Sequence, residues 1–271
     1  MTEHLLDLVL SRAAAVLGLA FVIARIVVTG ARPVFARVGG LLVIAGTLGQ
    51  LLAGANEIAG TLTLVSIADV VRGTSFGSSA AAALGAGVVL AAVLPTSRRR
   101  GSVTRLAGVA AAMAFALALS AQGHGAATPG RTLVQAVHVA AASAWIGGLL
   151  VLAESAERGA TSAHAVTTFS RIALWLVIVL GLSGILRAHA HVAFPSTELA
   201  SDYGRVLVLK LVFGAGALGF AVRHRRVTLP RLANEGAVPR TFGRDVTAEL
   251  VLAVCAVLAA AALGQLPPPR E

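Results

Sequence analysis

Residues 132–153 read TLVQAVHVAAASAWIGGLLVLA, twenty-two positions without one charged side chain. About 20 predominantly apolar residues, wound as an α-helix, cross the roughly 30 Å hydrocarbon core of a bilayer. The run is therefore read as a transmembrane helix, and its Ala, Ser and Gly allow neighbouring helices to approach closely in lipid. Working outward, comparable runs fall at about 5–28, 38–55, 74–94 and 103–121 before it, and at about 166–192, 203–222 and 245–264 after it. Arg32-Pro33, Pro95 with Arg98-Arg99-Arg100, Thr128-Pro129-Gly130, Pro195 and the Arg-rich stretch from Arg223 to Arg244 separate them. The expectation is an all-α transmembrane bundle of about eight spans, divided into a four-helix half at 1–121 and another at 122–271. The more polar stretch 56–73 is expected to form a short interfacial helix.

Composition points the same way. Hydrophobic residues make up 57 % of the 271 positions, charged residues 13 %, and mean hydropathy is +0.85. A soluble globule carries about 25 % charged residues, so lipid must be part of this chain's solvent. The first residues, MTEHLLDLVL, are acidic where a secretory signal is basic, which predicts an uncleaved first helix. One cysteine, Cys255, excludes a disulfide framework and any CxxC motif. Two methionines exclude a methionine-rich metal channel. There is no phosphate-binding glycine loop, no HExxH and no Ser-His-Asp order, so neither ATP-driven transport nor hydrolysis is expected and the chain is not read as an enzyme.

The net charge of +10 rests almost wholly on arginine. In a multi-pass chain such an excess reflects cytoplasmic loops rather than nucleic-acid binding, because short basic loops stay inside. Fifteen arginines lie in or beside the loops after spans one, three, five and seven: Arg25, Arg32, Arg37, Arg98, Arg99, Arg100, Arg105, Arg158, Arg171, Arg223, Arg225, Arg226, Arg231, Arg240 and Arg244. Five basic residues (Arg72, Arg131, Arg187, Arg205 and Arg270) lie on the other side. Both termini are therefore expected outside.

That orientation sorts the histidines. His4, His124, His138, His189 and His191 fall at the outer side, and only His164 and His224 at the inner. His138 lies inside span five, about 9 Å below its start at 1.5 Å per residue, with Trp145 two turns on along the same face. Neutral imidazole binds copper, zinc, iron or nickel and is less costly to bury in lipid than a carboxylate. The candidate metal ligands are His124, His138, His189 and His191, with His4, Asp7 and Trp145 as further outer-side residues. Singly, an interfacial histidine is more often solvated or hydrogen-bonded than metal-bound. His189 and His191 sit about 200° apart on a helix, so both reach one site only if the helix frays there. Asp7, Arg12 and Lys210 need partners if they lie in lipid, and one another would serve. Glu154 and Glu249, near the inner ends of spans five and eight, have Arg171 and Arg244 as nearby partners. Lys210 and Glu249 are read as structural or ion-coupling residues.

Several elements in order resemble the copper resistance protein D (CopD-like) family, from about Ser120 to Pro267. They are Gly123-His124, His138 followed by Trp145-Ile146-Gly147-Gly148, Phe169-Ser170-Arg171, Ser183-Gly184, the run Tyr203-Gly204-Arg205 to Lys210, Pro230-x-Leu232, Glu249-Leu250 and Pro267. Thr74-Ser75-Phe76-Gly77 opens span three similarly, and Arg223-His224 stands where the family usually has Asn-Arg. The resemblance implies a multi-pass protein of the bacterial inner membrane linked to copper import, with His124 and His138 as the carried-over candidates. A copper permease supplied by a periplasmic copper-binding protein is the leading expectation. Two alternatives stand beside it: a haem-binding redox protein, with His138 paired to His124 or His189, and an outer-face copper delivery or assembly factor that does not transport.

Overall fold

The structure is a computed structural model that describes residues 2–28, 31–93, 101–122, 128–191, 201–235, 238–239 and 241–266. The described residues form helices and connecting turns, without strands: α1 (Thr2–Val27), α2 (Pro33–Ala59), α3 (Leu64–Gly73), α4 (Ser75–Val93), α5 (Ser102–Ser120), α6 (Pro129–Glu157), α7 (Ala163–His191), α8 (Asp202–Arg223), a π-helical turn (His224–Thr228), α9 (Leu229–Glu235) and α10 (Phe242–Leu263). Eight of the helical segments are long and apolar enough to cross a membrane.

The helix ends follow from local chemistry. Pro33 and Pro129 occupy first-turn positions of α2 and α6, where a missing N–H costs nothing. Gly60 ends α2 in the left-handed region at φ 70°, a conformation that favours glycine. The polar stretch between spans two and three divides: its first residues extend α2 to Ala59, and its remainder makes α3. There Thr63 and Ser66 cap one another through both backbone N–H groups.

At the centre, α1 packs on α2, α6 and α10, while α6 packs on α1, α5, α7 and α10. Small residues set these distances. A Cβ on Gly147 would stand 2.5 Å from the Ala20 carbonyl oxygen of α1, and one on Gly39 would stand 2.9 Å from the Gly18 oxygen. Neither gap admits a side chain. Trp145, Ile146 and Leu149 of α6 join Val246, Ala253 and Val257 of α10 in one buried cluster. The periphery is different: Trp175 on α7 is 68 % exposed, and Leu182, Ile185, Leu211 and Val212 are exposed on α7 and α8. Apolar faces of this extent are expected where acyl chains rather than water surround the helix.

Two sequence expectations change. The seventh span does not end near residue 222; helix continues through the π turn into α9, so that Asp202–Asn234 forms one apolar helical run. Pro230 accounts for the turn. It lacks an N–H and crowds the carbonyl four residues back, and the Leu229 N–H bonds the His224 carbonyl five residues back, as a π turn requires. The ion pairs also differ. Glu154 binds Arg158 at 2.6 Å and Arg32 at 3.3 Å rather than Arg171. Glu249 faces His224 rather than Arg244. Arg223 pairs with Asp245 and ties α8 to α10.

Candidate metal site

Thr128 starts α6 by accepting a hydrogen bond from the Arg131 N–H at 3.3 Å, and His138 follows about two and a half turns later. Its Nδ1 lies 2.9 Å from Ser183 Oγ on α7, and its Cε1 abuts Gly184, where an added Cβ would stand at 3.7 Å. The Ser183 hydroxyl has one proton, and it donates that proton to the Val179 carbonyl at 2.6 Å. Ser183 Oγ is then the acceptor and His138 Nδ1–H the donor. Nε2 is left with its lone pair, the form in which imidazole ligates a metal.

Around this ring the field is positive. Lys210 of α8 and Arg187 of α7 both act on His138 electrostatically, and Arg187 also acts on Arg12 of α1. None of these cations has a carboxylate partner among the described residues. Asp7 is exposed and does not pair with Arg12 or Lys210. A cation held at His138 therefore needs other donors to offset that field.

His124 lies outside the described residues, as do the side chains of His4 and His191. His189 is exposed near the end of α7, and the backbone stays helical through His191. Among the described residues no three His, Cys, Asp or Glu side chains converge. The Trp145 indole approaches Glu249 of α10.

Sequence reasoning missed a second polar group at the level of Trp145 and below. His224 Nε2 stands 3.5 Å from Glu249 Oε2, and His224 Nδ1 stands 3.2 Å from Thr228 Oγ1. Glu249 is only 2 % exposed. The His224 ring meets Phe242 edge-on with centroids 5.2 Å apart. The sequence from Arg223 to Arg244 reads as a link between spans, and the π turn brings His224 into the bundle.

Fold and site define a polytopic helical membrane protein with two half-buried histidines, each set against a polar partner on a neighbouring helix. Residues 163–263 match the family model CopD, copper resistance protein D. That segment comprises α7 to α10 and includes Ser183, Lys210, His224 and Glu249, while His138 on α6 lies outside it. Over that segment, 101 of the 271 residues, the chain is similar to copper resistance protein D. No curated protein and no solved structure matches it.

Proposed function

We propose that this protein carries copper across the bacterial inner membrane, taking the ion from the periplasmic side at a site that includes His138. The observation that supports this reading is the His138–Ser183 contact. It joins a half-buried imidazole to the CopD-like segment and leaves Nε2 with its lone pair. His124, in the link before α6, is the proposed co-ligand, and His4, His189, His191 and Asp7 are further donors near the same mouth. Their carboxylate and imidazole groups would offset the charge of Lys210 and Arg187. Lys210 itself suits an ion-coupling role, because a buried ammonium is discharged when a cation arrives beside it. A periplasmic copper-binding protein would deliver the ion.

Copper uptake into proteoliposomes tests the reading. Parent protein should accumulate copper, and His138→Gln should abolish most of the uptake while the purified protein remains helical and monodisperse. Uptake by His138→Gln equal to the parent's would reduce His138 to a packing residue. Binding without uptake by the parent would favour a delivery factor.

A further inference from the structure

On the opposite half of α6 from His138, six helical elements border a cavity of about 90 Å³ lined by Leu149, Phe169, His224, Phe242, Val246 and Glu249, among others. Nearly all of that lining is apolar. Its polar groups include Ser170, Arg225, a carboxylate that is 2 % exposed and an imidazole whose Nε2 is buried without a hydrogen-bond partner. We propose that His224 Nε2 and the Glu249 carboxylate form a second transition-metal site. It rests on the copper-handling reading for the identity of its ligand, but not for its geometry.

Three features favour a metal here. The first is distance. At 3.5 Å, His224 Nε2 and Glu249 Oε2 are too far apart for a good hydrogen bond. Two donors at about 2.0–2.1 Å from one tetrahedral ion stand about 3.3 Å from each other, so the observed gap needs little adjustment. The second is support. Thr228 engages His224 Nδ1 from one turn away, and such a partner on the far nitrogen is the usual companion of a metal-bound imidazole. The Trp145 indole N–H approaches Glu249 without a hydrogen bond of ordinary geometry, so it is available to a carboxylate that turns toward an ion. The third is room. A cavity of about 90 Å³ holds several waters, each needing roughly 10–15 Å³. Water could complete the coordination shell in a space whose apolar walls otherwise offer it few partners.

The charged neighbours leave the carboxylate free for this role. Asp245, one turn before Glu249 on α10, is taken by Arg223, and Arg225 borders the cavity without an ion-pair partner among the described residues. Imidazole with carboxylate suits a borderline divalent ion such as Cu²⁺, Zn²⁺ or Co²⁺. Trp145 lies seven residues beyond His138 on α6, about 10 Å further along the axis at 1.5 Å per residue. The second site would thus receive an ion that has already passed the first.

The test uses full-length protein in nanodiscs, purified without a histidine tag, with every histidine except His224 replaced by glutamine. Titration with Cu²⁺ should show one bound ion, and pulsed electron paramagnetic resonance should show coupling to one imidazole nitrogen. His224→Gln or Glu249→Gln in that background should weaken the affinity by at least roughly 100-fold, more than loss of a supporting partner does. If the single-histidine protein binds no Cu²⁺ while the parent does, the second site is overturned and the copper reading stands. If it binds one ion but His138→Gln transports like the parent, the His138 reading fails and the second site stands. Absence of Cu²⁺ binding in both proteins overturns both. Should the multiple variant fail to form monodisperse helical protein, His224→Gln and Glu249→Gln in the otherwise unchanged chain decide: a stoichiometry lower by one supports the site, and an unchanged stoichiometry rejects it.

Discussion

Ser183 governs His138 through one oxygen, so it separates orientation of the ring from ligation by it. Ser183→Ala removes the acceptor at 2.9 Å and leaves the imidazole free to rotate and to exchange tautomers. Loss of such a supporting partner lowers metal affinity by roughly 10–100-fold, and a copper titration of the purified variant should read that range. His138→Ala goes further, removing the ligand itself, yet alanine suits a membrane helix better than histidine. Cellular levels of that variant should stay near the parent's while copper uptake collapses. Both effects depend on a neutral ring. Protons compete with the metal for the same lone pair, and imidazole ordinarily titrates near about 6.5. Copper affinity of the parent should therefore fall on acidification and level off above neutrality. A pH-independent affinity would point to ligands other than histidine.

The helices of the bundle differ in how much change they tolerate. Gly147 sits where α6 meets α1, with no space for a side chain, whereas Gly219 on α8 is exposed and a Cβ there meets nothing within 4 Å. Gly147→Val should destabilise the protein by about 1–3 kcal/mol or more, as overpacking of a close contact does. Gly219→Ala should be nearly neutral. Thermal unfolding in detergent, followed by loss of monodisperse protein, compares the two; equal midpoints would mean that the α1–α6 contact is not what holds the bundle. The π turn is a different kind of device. It adds one residue to a helical turn and so rotates everything on one side of it relative to the other. Through it His224 reaches α10 while α9 continues the run beyond Pro230.

Over the whole molecule, eight traverses of alternating direction bring the first and last described helices to the same face. The excess of arginine in the loops after spans one, three, five and seven supports the proposal that this face lies outside. A reporter active only in the cytoplasm, fused after Glu271, should give no signal. Strong activity there would invert the bundle and with it the assignment of His138 to the side of entry. The same experiment bears on the second site, since inversion would make His224 and Glu249 the first station an incoming ion meets.

The number of membrane-crossing helices and their approximate bounds were legible in the sequence. Hydropathy along one chain records how each segment meets lipid, and that is a local property. Arginine placement was legible for the same reason. Partnerships were not. His138 could be singled out because a histidine stands within a long apolar run, but nothing in spacing alone joins residue 138 to Ser183, 45 positions away. The pairing of Glu249 with His224 was hidden further, because the Arg-rich stretch after Arg223 reads as a loop and Pro230 reads as a break. Only the packed bundle shows that the helix survives the proline as a π turn and turns His224 inward. Contacts of that kind arise from how helices lean on one another, set by close-approach glycines such as Gly39 and Gly147. The tertiary structure decides them because a small change in crossing changes which side chains meet.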